Sequence, residues 1–214
     1  LYIFLYIIEI SINYKNDGLF KKTRLYYLNK DSKNNFNQKI YLNFGSYKLL
    51  GDTKHDIFPL SGYENAKTLL CLNELNKPIY YISDENGFNN QKRYIKNDLL
   101  LIGDSYVQGM CLENRNNLNA QFEKFNLRST SLGIGGNGPL IEFATFKEYE
   151  SLYEYKTLIL FITPDNDFYD LLNESNNKIL MNYLNNPDFK QNISLKQNKK
   201  AKRKVINSFF GNKT

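Results

Sequence analysis

Between Asp98 and Ser105 the chain reads Asp-Leu-Leu-Leu-Ile-Gly-Asp-Ser, four apolar residues in a row and then a turn signal. An uninterrupted apolar run closed by Gly103-Asp104 predicts a strand buried on both faces, as in the middle of a parallel sheet. Ser129 to Leu132 predicts a short second strand, which runs into Gly133-Ile134-Gly135-Gly136-Asn137-Gly138-Pro139. Lys156 to Ile162, carrying Leu158-Ile159-Leu160-Phe161, predicts a third, ending at Thr163-Pro164-Asp165-Asn166-Asp167. Helical spacing fills the intervals. Leu118, Phe122 and Phe125 share one face of a helix over Asn117 to Phe125. Pro139 suits the first turn of another, continued by Leu140, Phe143, Ala144, Lys147 and Glu148. A further helical region runs from Phe168 to about Leu184 and stops before Asn185-Asn186-Pro187. Strand-helix alternation of this kind predicts an α/β fold, a flavodoxin-like three-layer α/β/α sandwich with a parallel sheet and right-handed crossovers.

Before residue 97 the pattern is different. Residues 11 to 60 are polar and broken, with turn signals at Asn16 to Gly18 and Asp31 to Asn35. Alternation over Lys39 to Phe44 predicts short strands or turns. Ile79-Tyr80-Tyr81-Ile82 predicts a strand by its β-branched and aromatic content. It ends in the turn-rich loop Ser83 to Asn90, with Phe88 as a hydrophobic plug. His55, the one histidine, stands in a loop before Pro59 and reads as solvated. The expected organisation is a lead-in over 1–96, irregular and packed against the rest, and an incomplete α/β domain over 97–214 with a basic tail. Leu1 to Ile10 is apolar but too short to span a bilayer, which takes about 20 residues. It reads as the remnant of a signal peptide or amino-terminal anchor, or as the start of a buried element.

Charge narrows the partners. The net charge of the 214 residues is +6, but Lys190, Lys196, Lys199, Lys200, Lys202, Arg203 and Lys204 follow one another with no acid between them. The remainder is close to neutral, so the basic character belongs to a tail, read as a solvated helix face or a frayed end, and not to a binding face. No aromatic is interleaved between Lys190 and Lys204 to stack on bases, which argues against a nucleic-acid partner. Cys71 and Cys111 are too few for a disulfide framework and have no metal spacing. They read as one bridge or as two buried thiols.

The candidate chemistry sits at the three strand ends, which a parallel sheet brings to one edge. Ser105 follows the first, where a serine is either a nucleophile or a helix N-cap. The glycines follow the second, and Asn166 the third. A hydroxyl, glycine N–H groups and a carboxamide suit acyl transfer, in which a developing oxyanion needs preorganised donors. No metal or organic cofactor is implied.

Gly103-Asp104-Ser105, Gly133 to Pro139 and Pro164-Asp165-Asn166-Asp167, taken in order, resemble the first three sequence blocks of the SGNH (GDSL) hydrolases. Ser83 to Asn90 resembles the Asp-x-x-Gly-Phe-x-Asn lead-in of a bacterial subgroup that is often exported or membrane-anchored. The resemblance covers about Ser61 to Leu184. It implies Ser105 as nucleophile and, through its own N–H, oxyanion donor. It implies Gly136 as the second-block glycine, with Gly135 the other choice, and Asn166 as the third-block Asn. Asp104 would hold the turn, and Asp104, Gly135 and Asp167 would line the substrate. The substrate class implied is an acyl ester of a glycan, lipid or small molecule, and the location periplasmic, free or anchored, with a cytoplasmic location as the alternative. Two departures stand out. Pro164 replaces the glycine of the third block, and no histidine follows His55, so the carboxy-terminal Asp-x-x-His that supplies the base is absent. Truncation at both ends accounts for this, as does degeneration to a non-catalytic binding or scaffold domain. A serine without a base is a weak nucleophile, so little hydrolase activity is expected of the chain. A rival reading is that Gly133 to Gly138 satisfies Gly-x-Gly-x-x-Gly, the dinucleotide fingerprint.

Overall fold

The computed structural model describes residues 39–52, 54–73, 75 and 77–210. The readings of Leu1 to Ile10 and of the turns before residue 39 lie outside them. Two three-stranded sheets form the frame. The first holds β1 (Ile40–Leu42), β2 (Lys67–Leu72) and β3 (Pro78–Ile82) in the order β1-β2-β3. In it β1 runs parallel and β3 antiparallel to β2. The described part of the lead-in thus holds a sheet, with strands where Lys39 to Phe44 and Ile79 to Ile82 suggest them and a further one at Lys67–Leu72.

The second sheet holds β4 (Lys96–Ile102), β5 (Ser129–Ser131) and β6 (Glu154–Leu160) in the order β5-β4-β6, all parallel. Leu100, Leu101 and Ile102 are fully buried in the central strand, as the apolar run predicts. Between and after the strands come α1 (Ser105–Gln108), α2 (Leu118–Glu123), α3 (Pro139–Tyr149), α4 (Asp167–Glu174), α5 (Lys178–Asn185) and α6 (Lys196–Phe210). The chain is thus a mixed α/β protein with a parallel sheet. The single helix expected over Phe168 to Leu184 is two. Asn177 breaks it, because its side-chain oxygen accepts the N–H groups of Ile179 and Leu180 and so caps a new helix.

One core crosses residue 96. Phe44, Phe58 and Leu60 of the lead-in pack in the same cluster as Leu100, Ile102, Ile141, Ala144 and Ile206. The loop before β4 ties the two parts together. The Asp84 carboxylate accepts the N–H groups of Asn86, Gly87 and Phe88 and the Asn90 amide, each at 2.8–3.0 Å. This turn drives Phe88 fully into the core, edge-on to Tyr149 with ring centroids 5.0 Å apart. Asn90 then pairs with the backbone of Ser131, donating to its carbonyl and accepting its N–H, both at 2.9 Å. Asn89 donates to the Gln108 carbonyl at 2.9 Å. A disulfide between Cys71 and Cys111 adds a covalent link from β2 to the segment after α1.

From Lys196 on, the basic run is a helix, α6, with Lys196, Lys200, Arg203 and Lys204 exposed as the solvated-face reading has it, but Lys202 within it is completely buried. Its ammonium lies 2.6 Å from the Glu64 carboxylate and donates to Ser61 Oγ at 2.8 Å and to the Gly62 carbonyl at 2.9 Å. Arg203 pairs with the other oxygen of Glu64. Burial pulls the Lys202 ammonium down to about 8, against the opposing pull of Glu64. Removing one partner of a buried pair strands the other charge. Lys202→Ala should therefore cost about 3 kcal/mol or more in urea unfolding, and the double change Glu64→Gln/Lys202→Met should recover part of that loss. An effect of Lys202→Ala below about 1 kcal/mol would show the pair to be idle. Reduction of the disulfide opens a loop closed across 40 residues. On the chain-entropy account it should cost about 4 kcal/mol, read as a fall in the urea midpoint with dithiothreitol that Cys71→Ala reproduces.

Candidate functional site at the carboxyl edge of the parallel sheet

β5 and β6 both run parallel to β4, so the three strand ends open on one edge. Leu132 and Phe161 extend the ladder by one bond each, to the carbonyls of Leu101 and Ile102. Beyond them lie Gly103-Asp104-Ser105, the glycine loop, and the turn that ends at Asn166. All three segments follow the carboxyl ends of their strands, as the order strand, turn, helix predicts.

Ser105 is the first residue of α1, half-buried, with its hydroxyl donating to Asp104 Oδ2 at 3.3 Å. Asp104 is the N-cap, and its other oxygen accepts the Tyr106 N–H at 3.2 Å. It holds the turn, as expected, and is buried. The Ser105 N–H has no hydrogen-bond partner among the described residues, as befits a first-turn donor.

The glycine loop lies directly under α1. A side chain at Gly133 would place its Cβ 2.6 Å from the Gln108 nitrogen, so backbone meets backbone there. A Cβ at Gly135 would lie 3.5 Å from that of Ser105, which measures how close the two segments are. The Gly135 N–H is already committed, to Gln108 Oε1 at 2.8 Å. Gln108 in turn donates to Asn43 at 2.9 Å, so one side chain binds the loop to the lead-in. Gly136 has φ +81, a conformation that favours glycine, and lies against the Tyr47 ring. Its N–H has no partner among the described residues. Of the two glycines considered for the oxyanion, Gly136 is the one with a free donor.

The third strand end is arranged differently from the expectation. Asn166 precedes α4, and its carboxamide donates to Asp170 at 3.0 Å on its own helix. Asp167, expected to line the substrate, opens α4. It is buried, and one oxygen accepts the Thr163 N–H at 2.5 Å while the other has no partner. Burial, with Asp104 and Asp170 nearby, raises its pKa. Gly135, also expected at the substrate, is buried and spent on Gln108. The serine hydroxyl is bonded to Asp104 and to no histidine. His55 is not free in solvent as expected, because its Nδ1 lies 2.7 Å from Asp52. The pair lines a separate hollow of about 400 Å³ with Leu50, Asn177, Ile179 and Phe189.

Beneath the edge lies a buried set of carboxyls that no motif announced. Glu174 of α4 is fully buried and accepts the N–H groups of Gly138, Leu140 and Ile141 at 2.6, 2.8 and 3.2 Å. It caps α3 from another helix and fixes the end of the glycine loop. Glu142, one turn into α3, is buried with both oxygens unpartnered. The sequence signal for these was faint: an acid in the first turn of a helix that starts at Pro139, and acids spaced Asp167, Asp170, Glu174 on one helical face.

Burial holds the Glu142 carboxyl protonated up to about 9, with Asp167, Asp104 and Glu174 adding to the effect. Burial also raises Glu174 to about 7, against the pull of its three peptide donors. Both lie above the ordinary value of 4.5, so these groups keep protons in the folded state that the unfolded chain has already released. Their contribution to stability is full below about pH 4.5 and is lost as pH rises through the folded values. Glu142→Gln does not ionise. Its melting temperature should therefore gain on that of the parent as pH is raised from about 5 to 9, and a constant difference across that range would refute the protonated state.

Comparison with known protein families, with curated proteins and with solved structures finds no match for this chain.

Proposed function

We propose that Ser105 is the nucleophile of a serine acyl-ester hydrolase or acyl transferase site of the SGNH kind. The single observation that carries this is the pair of unpartnered peptide donors, Ser105 N–H and Gly136 N–H, on adjacent segments beside a half-buried hydroxyl. In the proposed step, Ser105 Oγ bonds to the acyl carbon and the carbonyl electron pair moves onto oxygen. The two N–H groups receive that charge. Collapse breaks the bond to the ester oxygen, which takes up the serine proton through solvent and departs as the alcohol, leaving an acyl-serine that water or a second hydroxyl attacks. Loss of one such donor typically costs 10²–10³ in rate. The hydroxyl proton needs a base, and Ser105 Oγ has only a 3.3 Å contact to the Asp104 carboxylate and no histidine bonded to it among the described residues, so intrinsic turnover is slow. The substrate class is an acyl ester of a glycan, lipid or small molecule.

The Cys71–Cys111 disulfide supports a periplasmic setting for this site, since such bonds persist in oxidising compartments. Among the described residues no helix is long and apolar enough to cross a membrane.

Glu174 weighs against the dinucleotide reading. A pyrophosphate on the Gly-x-Gly-x-x-Gly loop uses the first N–H groups of the following helix. Here those of Gly138, Leu140 and Ile141 already hold a carboxylate. A second reading, a binding or scaffold domain, draws on Asn166 being bonded to Asp170.

A fluorophosphonate probe decides between them. Labelling should be slow, should accelerate with added imidazole as surrogate base, and should vanish in Ser105→Ala. No labelling with imidazole present, or labelling that survives Ser105→Ala, would leave the scaffold reading in its place.

A further inference from the structure

α4 is packed inside out. Its buried side carries Asp167 and Glu174, with Asp170 half-buried, while Phe168, Leu171 and Leu172 are 67%, 38% and 67% exposed. Those three stand at i, i+3 and i+4, one face of the helix. β6, which leads into α4, is equally bare. It pairs with β4 alone, and its other edge carries no partner among the described residues. Leu158 and Leu160 on it, and Ile162 just past its end, are 40%, 52% and 53% exposed.

The two apolar rows lie on the same side of the sheet. Leu158 and Leu160 pair in register with Leu100 and Ile102, which pack with Ile141 and Ala144 of α3. α4 packs on α3 as well. An open strand edge and an outward apolar helix face thus adjoin each other, the two halves of a core with nothing between them.

We propose that this face seats a second copy of the chain. Two β6 edges meet antiparallel across a two-fold axis normal to the sheet and complete one another's backbone hydrogen bonds, giving a six-stranded sheet. The axis keeps both α4 helices on one side of it, so their Phe168, Leu171 and Leu172 rows meet over the seam. Area and charge favour a like partner. The six side chains expose about 600 Å² per copy, at the upper limit for a monomer's largest apolar patch and near the ~800 Å² a side of a stable interface. Asp167 and Glu174 of α4 face inward, and the charges of β6 are paired, Lys156 with Asp98 at 2.7 Å and Glu154 with Lys96 at 3.4 Å, so the two apolar rows themselves carry no unpaired charge. An isologous contact needs such self-complementarity.

Sedimentation velocity of the full chain from about 5 to 200 µM tests this. The expected species is a dimer, converted to monomer by Leu160→Lys and by Phe168→Glu, with far-UV circular dichroism unchanged. Phe125→Glu, at an exposed ring elsewhere, should leave the dimer intact. Should both β6–α4 variants lose their fold, hydrogen exchange of the parent supplies the reading: the amides of Leu158, Leu160 and Ile162, which alternate with those bonded to β4, protected at high concentration and exchanging freely on dilution. A monomer at 200 µM overturns the proposal and assigns the face to a different partner. A dimer that both folded variants retain, or whose Leu158, Leu160 and Ile162 amides exchange freely, overturns it as well.

Discussion

A carboxylate buried without a counter-ion is costly unless several donors converge on it. The fold keeps Glu174 by giving it the peptide N–H groups of Gly138, Leu140 and Ile141. The consequences spread from there. α3 is capped from outside its own sequence, so the loop that precedes it has a fixed exit. The anion seat at the start of α3 is filled, which weakens one functional reading. And α4 must turn its acidic side inward to deliver the carboxylate, which forces its leucines and phenylalanine outward. One bond set thus shapes the proposed active edge and the bare face beside it.

The same economy marks the rest of the edge. Gln108 accepts from Gly135 and donates to Asn43, and Asn90 clasps the Ser131 backbone. Each is a side-chain amide using both its donor and its acceptor to join two segments. The Asp84 turn that presents Asn90 also plants Phe88 in the core. The lead-in is therefore a buttress for the strand ends, and the core that spans residue 96 is its foundation.

Much of this frame was legible in the sequence. The β4 run, the turn at Gly103, Pro139 at the first turn of α3 and Phe88 as a plug all follow local rules, and the structure obeys them. What local rules miss is tertiary. Nothing in the spacing of the basic run marks Lys202 as the one lysine that finds Glu64, since the two stand far apart in the chain. Phe168, Leu171 and Leu172 give the periodicity of a core helix, and the structure points that face the other way. Asn166 and Asp167 match a motif by type, but one is drawn to Asp170 and the other inward to Thr163. Motif matching fixes residue identity, not the direction in which a side chain faces.

The Lys202–Glu64 contact carries an implication for biosynthesis. The carboxylate and the Ser61 hydroxyl that cradle the ammonium are made 141 residues or so before the hydroxyl's partner is translated. Until α6 leaves the ribosome, the first sheet holds an unneutralised acid and an uncovered apolar flank. Such long-range closure is slow and leaves the nascent chain open to aggregation. Closure of that flank thus waits on a helix made about 140 residues later, and that helix acts as the latch between the two.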